Sequence, residues 1–125
     1  MPPRIPPVRV FIVEDEIAFS EVIQTRLTDL GYKVIGVARD SRTAVELICQ
    51  LRPDIVLMDL RLPDPETQKE DPMAGIDTAR KIQEKCPTPI ILLTAYESPK
   101  LTQQASIAGV GAYLIKPVGD NELDR

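Results

Sequence analysis

Apolar and polar positions alternate along this chain in two kinds of block: short runs that are almost wholly apolar, and longer stretches in which apolar residues recur at helical spacing. Val8 to Val13 is the first run and ends abruptly in Glu14-Asp15-Glu16. Phe19, Val22, Ile23, Leu27 and Leu30 then share one helical face, and Gly31 is a natural stop. Tyr32 to Ala38 is predicted to be a second strand, since β-branched residues and Gly36 suit a strand better than a helix. Asp40 or Ser41 can cap a helix that carries Ala44, Val45, Ile48 and Leu51, and Pro53 ends it. Ile55 to Met58 is a third run leading straight into Asp59. Beyond it, residues 60–72 are mostly polar, and Pro63, Pro65 and Pro72 are expected to prevent regular structure. A helix follows over Ala74 to Lys85, then a strand over Ile90 to Leu93 ending at Thr94. Ser98-Pro99 opens a further helix, which Gly109 and Gly111 break. Ala112 to Ile115 is the last strand, followed by Lys116-Pro117, and a final helix begins near Asp120.

Strands that are apolar throughout must be covered on both faces. The pattern therefore predicts an α/β fold, a doubly wound five-stranded parallel sheet with helices on either side. Met1 to Pro7 reads as an extended proline-rich lead-in, and residues 8–125 as one domain, near the common domain size. In such folds functional groups gather at the carboxyl ends of the strands. Those ends hold Glu14 and Asp15, Asp59, Thr94 and Lys116, whereas the second strand ends without obvious chemistry at Ala38-Arg39.

Carboxylates brought to one sheet edge repel one another unless one is protonated or a cation sits among them. A hard divalent ion with oxygen ligands is the natural partner, and Mg²⁺ suits a few carboxylates completed by water. A lysine on the far side would complement an incoming anion, and a threonine hydroxyl could donate to it. The arrangement suits phosphoryl transfer with a carboxylate as covalent acceptor.

Composition narrows the chemistry further. The chain contains no histidine, which removes Ser-His and Cys-His mechanisms, histidine zinc sites and any role as a phosphohistidine donor. The net charge of −4 and the lack of a basic run argue against nucleic-acid binding by this segment. No apolar stretch approaches roughly 18 residues, so no membrane span is expected, and the amino terminus lacks a signal peptide's apolar middle. A cytoplasmic location is the expectation. Cys49 and Cys86 are then expected to be ordinary reduced thiols.

Phe11 to Glu16, Asp54 to Pro63, Ile91 to Ala95 and Tyr113 to Pro117 together resemble the receiver domain of two-component response regulators. The resemblance covers nearly the whole chain from Val8 onward and implies a flavodoxin-like strand order, 2-1-3-4-5. It implies Asp59 as phosphoacceptor, with Asp15 and Asp59 as Mg²⁺ ligands, Glu14 acting near the metal and the backbone carbonyl of Arg61 as a further ligand. It implies that Thr94 hydrogen-bonds the phosphoryl group, that Lys116 pairs with it before a cis Pro117, and that Tyr113 is a switch aromatic coupled to Thr94. A cognate histidine kinase or phosphotransfer protein would be the donor, a downstream output domain or partner the reader, and a homodimer is left open.

The chain departs from that pattern in two places. The glycine that opens the third helix, here Gly75, comes later than the family places it, so residues 64–72 form an acidic, proline-rich insertion. A tolerated surface loop competes there with a gating or partner-selecting role. The final helix is shorter than usual, as though truncated, and the chain resembles receivers cut from larger signalling proteins. Arg61 and Tyr96 stand where the family tunes phosphoryl lifetime. The alternatives are an unphosphorylated pseudo-receiver or interaction module, which would require loss of a key residue, and an aspartate-nucleophile phosphatase, whose second aspartate is here Arg61. A flavin site lacks its glycine- and hydroxyl-rich phosphate loop. The chain is thus expected to be a phosphoacceptor rather than an enzyme acting on external substrates.

Overall fold

A computed structural model of the chain describes residues 6–63, 66–67, 69–71, 73–94 and 99–115. Strands β1 (Arg9–Val13), β2 (Lys33–Ala38), β3 (Ile55–Asp59), β6 (Ile90–Thr94) and β7 (Ala112–Ile115) form one parallel sheet in the order β2-β1-β3-β6-β7. Counting these sheet strands alone, the order is the flavodoxin-like 2-1-3-4-5. Helices α1 (Ile17–Asp29), α2 (Ser41–Leu51), α3 (Ala74–Lys85) and α4 (Pro99–Ile107) connect them. The remaining strands, β4 (Leu62–Pro63) and β5 (Glu70–Asp71), form a separate antiparallel pair. Among the described residues, no helix is long and apolar enough to cross a membrane.

The alternation along the central strands explains the two covered faces. Phe11, Val13, Val56 and Met58 point to one side, where they meet Ala44 and Ile48 of α2, Ala79 and Ile82 of α3, and Leu101 and Ala105 of α4. Val10, Ile12 and Leu57 point to the other side and pack with Phe19, Ile23 and Leu27 of α1. Successive strand residues face opposite ways, so a run without polar positions can stand only between two helical layers. The β1–β2 register shifts between Val10 and Phe11, which brings Phe11 opposite Gly36. A Cβ on Gly36 would lie 2.7 Å from the Phe11 ring, so the glycine is what makes room for that ring beside β2.

Helix ends follow side-chain chemistry. Asp40 accepts a hydrogen bond from the Thr43 backbone N–H at 2.8 Å, capping α2 as expected. At the other end the chain turns through Arg52, at φ 51°, before Pro53. The Arg9 guanidinium donates to the carbonyl oxygens of Arg52 and Leu51, at 2.7 and 2.9 Å. A strand residue thereby satisfies carbonyls that the helix itself leaves open.

Two expectations are corrected. Residues 60–72 are not devoid of regular structure, because Leu62↔Asp71 and Pro63↔Glu70 pair as a short hairpin. A two-stranded ribbon has only free edges, so a proline costs it little. Leu62 is fully buried in the core and anchors it. Cys49 and Cys86 are not free thiols but form a disulfide, with Cα atoms 5.5 Å apart. The packing of α2 against α3 brings them together, a proximity that two isolated cysteines in a sequence do not announce. The final helix expected near Asp120 lies outside the described residues.

Candidate functional site

The carboxyl edge of the sheet assembles its polar groups through register. Val13 of β1 pairs with Met58 of β3, so the residues that follow, Glu14 and Asp59, emerge side by side. Asp59 pairs with Leu93 of β6, which sets Thr94 one position further along the neighbouring strand. Glu14, Asp59 and Thr94 are each less than 5% exposed, while Asp15 is half-buried. One carboxylate oxygen from each of Glu14, Asp15 and Asp59 lies within 4.8 Å of the others. At that separation each pair of unit charges repels by roughly 3 kcal/mol at an effective dielectric of ~20.

The surrounding backbone holds these groups in place. The Glu14 N–H donates to the Ala38 carbonyl at 2.9 Å, tying the acidic turn to the end of β2. The Glu14 carboxylate accepts from the Glu16 N–H at 3.2 Å, and the Asp59 carboxylate from the Arg61 N–H at 3.4 Å. Below Asp59, the Gly75 N–H donates to the Leu60 carbonyl at 2.8 Å. A Cβ on Gly75 would meet the Asp59 carbonyl oxygen and would lie 2.8 Å from the Leu60 Cα. Helix α3 therefore starts directly against the backbone that carries Asp59, which accounts for a glycine there despite its poor helix propensity.

The structure thus brings together Glu14, Asp15, Asp59 and Thr94 among the residues expected from sequence. Arg61 is exposed next to Asp59. Tyr113 is half-buried, and its hydroxyl oxygen accepts a hydrogen bond from Thr102 of α4 at 3.2 Å. Lys116, its bond to Pro117, and Tyr96 lie outside the described residues. Sequence reasoning passed over Arg39, whose guanidinium donates to the Asp15 carbonyl at 3.4 Å. The available signal was a cation at the one strand end assigned no chemistry.

Glu66 pairs with Arg42 in the first turn of α2 at 3.5 Å. A cleft of about 460 Å³ runs between α2, α3 and the hairpin, lined by Ser41, Val45, Asp71 and Lys81 among others and by none of the three clustered carboxylates.

The donor set fits a hard cation, since the three clustered ligands all offer carboxylate oxygen and two of them are buried. The response regulator receiver domain family matches residues 10–125. The transcriptional regulatory protein PdtaR of Mycobacterium tuberculosis is 38% identical over 117 residues, covering 94% of this chain and 53% of that protein. YdfI of Bacillus subtilis, also a transcriptional regulatory protein, is 34% identical over 92% of this chain and 51% of its own length. The chain thus spans about half the length of these curated relatives. The response regulator domain of Thermotoga maritima CheB superposes with a TM-score of 0.79 at 28% identity, over 90% of this chain and 81% of that one. The receiver domain of the response regulator NarL from M. tuberculosis gives 0.79 at 29% identity, over 95% and 91%. Response regulator receiver domains bind Mg²⁺ at an acidic cluster, and the match takes in Glu14, Asp15, Asp59 and, apart from Arg9 at the start of β1, every strand of the sheet: the chain belongs to the response regulator receiver domains of two-component signal transduction.

Proposed function

We propose that the chain is a phospho-accepting switch in which Asp59 takes a phosphoryl group from a histidine kinase or phosphotransfer protein. The observation that carries this reading is a buried aspartate at the end of the central strand with two further carboxylates within 4.8 Å. In the transfer, the N–P bond of a donor phosphohistidine breaks and an O–P bond forms to a carboxylate oxygen of Asp59. Glu14, Asp15 and Asp59, with the Arg61 carbonyl, would hold Mg²⁺. When bound, the ion supplies positive charge that offsets both the clustered carboxylates and the transferring group.

The chain's own residues supply the rest. The Arg61 N–H and the strand geometry orient the Asp59 carboxylate, and burial limits the approach of water. Thr94, at the end of the adjacent strand, is placed to donate to a phosphoryl oxygen. Lys116 follows directly on β7, where its ammonium would pair with the phosphoryl group. Movement of Thr94 would pass to Tyr113, which the Thr102 hydroxyl ties to α4. Its reader would be a downstream output module, by analogy with relatives about twice as long. Hydrolysis of external substrates is not part of this reading, because the exposed Arg61 stands where an acid/base carboxylate would be needed. The setting is the cytoplasm, where such kinases present their phosphohistidines.

The test is intact-protein mass after incubation with Mg²⁺ and acetyl phosphate, beside Asp59→Asn. The expected result is a Mg²⁺-dependent gain of one phosphoryl group that the variant lacks. A folded wild-type protein that gains nothing, or a variant that still gains the group, overturns the proposal.

A further inference from the structure

The disulfide between Cys49 and Cys86 lies apart from the acidic cluster, and no step at Asp59 uses it. Its place in the chain nevertheless concerns Asp59. The bonded residues are separated by 37 positions, and the loop they close contains β3, the acceptor, the hairpin and all of α3. Helix α3 is held along its length. At its start the Gly75 N–H binds the Leu60 carbonyl at 2.8 Å. One turn on, the Thr78 hydroxyl donates to Ser41 of α2 at 2.8 Å. At its C-cap, Cys86 is covalently joined to α2. Of these ties the last is covalent and open to reduction.

The two partners also differ in access. Cys86 is 1% exposed, within the core cluster, whereas Cys49 is partly buried at its margin. An attacking thiolate therefore meets Cys49 first, and Cys86 is the group that leaves. We propose that Cys49–Cys86 is a site of thiol–disulfide exchange for a dithiol reductant, and that its state sets how firmly α3 is held beneath Asp59.

The exchange balances as follows. A reductant thiolate attacks the Cys49 sulfur, the S–S bond breaks, and the Cys86 thiolate leaves. The reductant's second thiolate then attacks its own sulfur in the mixed disulfide and releases Cys49. The protein gains two electrons, its two thiolates take up two protons, and the dithiol becomes a disulfide. Oxidation of the pair reverses the sequence. A reducing compartment would hold the pair open and an oxidant would close it.

The effect on phosphorylation rests on the function proposed above, but the exchange itself does not, so the two are read separately. Oxidised protein is first treated with glutathione under native conditions, quenched with iodoacetamide and peptide-mapped. The adduct is expected on Cys49, with Cys86 alkylated. Adduct on Cys86, or reduction no faster than global unfolding, overturns the site, as does a protein whose two thiols stay free under oxidised glutathione. Amide exchange over residues 74–77 is then compared between the oxidised protein and the same protein reduced by dithiothreitol, with Cys49→Ser/Cys86→Ala as a bridge-free reference. Reduction is expected to speed that exchange by tenfold or more and to lower Tm by on the order of 10 °C. Equal exchange in both states overturns the claim on α3. Failure of Asp59 to accept phosphate in either state would overturn the proposed function and leave these readouts intact.

Discussion

Gly75 gives the sharpest test of how the fold positions its acceptor. It is the second residue of α3, and a helix interior would ordinarily gain from alanine by up to about 1 kcal/mol. Here the added methyl group would stand 2.8 Å from the Leu60 Cα and 3.1 Å from the Asp59 carbonyl carbon. Both are backbone atoms at the end of a central strand, so neither can swing aside as a side-chain tip could. Either the start of α3 or the Asp59–Leu60 peptide must move by several tenths of an ångström, against the Gly75–Leu60 hydrogen bond that holds them together. Overpacking of this kind costs about 1–3 kcal/mol. That exceeds the gain in helix propensity, and the net expectation for Gly75→Ala is a loss of roughly 1–2 kcal/mol.

The same displacement reaches the chemistry. Shifting a reacting group by about 1 Å can cost about 100-fold in rate, so a shift of several tenths of an ångström should slow phosphorylation of Gly75→Ala by acetyl phosphate by up to about tenfold. Urea unfolding gives the stability and intact mass over time gives the rate. Gly111→Ala is the control, because its nearest neighbour, the Ile90 carbonyl oxygen, would sit at an ordinary 3.8 Å and its φ is not in the left-handed region. Gly111→Ala should stay within about 0.5 kcal/mol of the parent or exceed it slightly. A Gly75→Ala protein as stable and as quickly phosphorylated as the parent would refute the argument that α3 is seated on the acceptor's backbone.

Three further outcomes are expected. Leu62→Ala should cost about 2–5 kcal/mol by urea unfolding, since the side chain is fully buried; a loss below about 1 kcal/mol would mean that the hairpin is not anchored in the core. Asp40→Ala should lose about 1 kcal/mol with phosphorylation unchanged, because only the α2 cap is removed, and Asp40→Asn should restore most of it. Replacing residues 64–71 by a short glycine-serine turn should leave phosphorylation and dephosphorylation rates within about threefold, since loop length itself costs little. Glu66 of the insertion pairs with Arg42 of α2, and a larger change in either rate would show that the insertion reaches Asp59.

Most of the fold was legible because two physical signals coincided. Ile55–Asp59 and Ile90–Thr94 carry no polar residue until their last position, so both their burial and the placement of Asp59 and Thr94 at one edge followed from the same few letters. Asp40 announced the start of α2 because a carboxylate before a helical pattern has one strong local use. The hairpin was not legible for the opposite reason. Its two strands are two residues each, too short for any period to register, and Pro63 argues against a strand unless the strand is an edge.

The disulfide and Arg39 were hidden by distance of another kind. Cys49 and Cys86 meet only because α2 and α3 pack side by side, and composition argued for the reduced state. Arg39 reaches Asp15 across 24 positions, from just past the end of β2, where no other chemistry stands. Local patterns report what a residue does for its own element, whereas these contacts depend on which elements become neighbours. Gly75 lies between the two cases. Its letter could be matched to a helix opening, but the reason for it, the backbone of Asp59 and Leu60 pressed against its Cα, exists only once β3 and α3 are in place. The seat of α3 beneath Asp59 thus rests on tertiary contacts at both ends of the helix, a glycine at one and a breakable sulfur bond at the other.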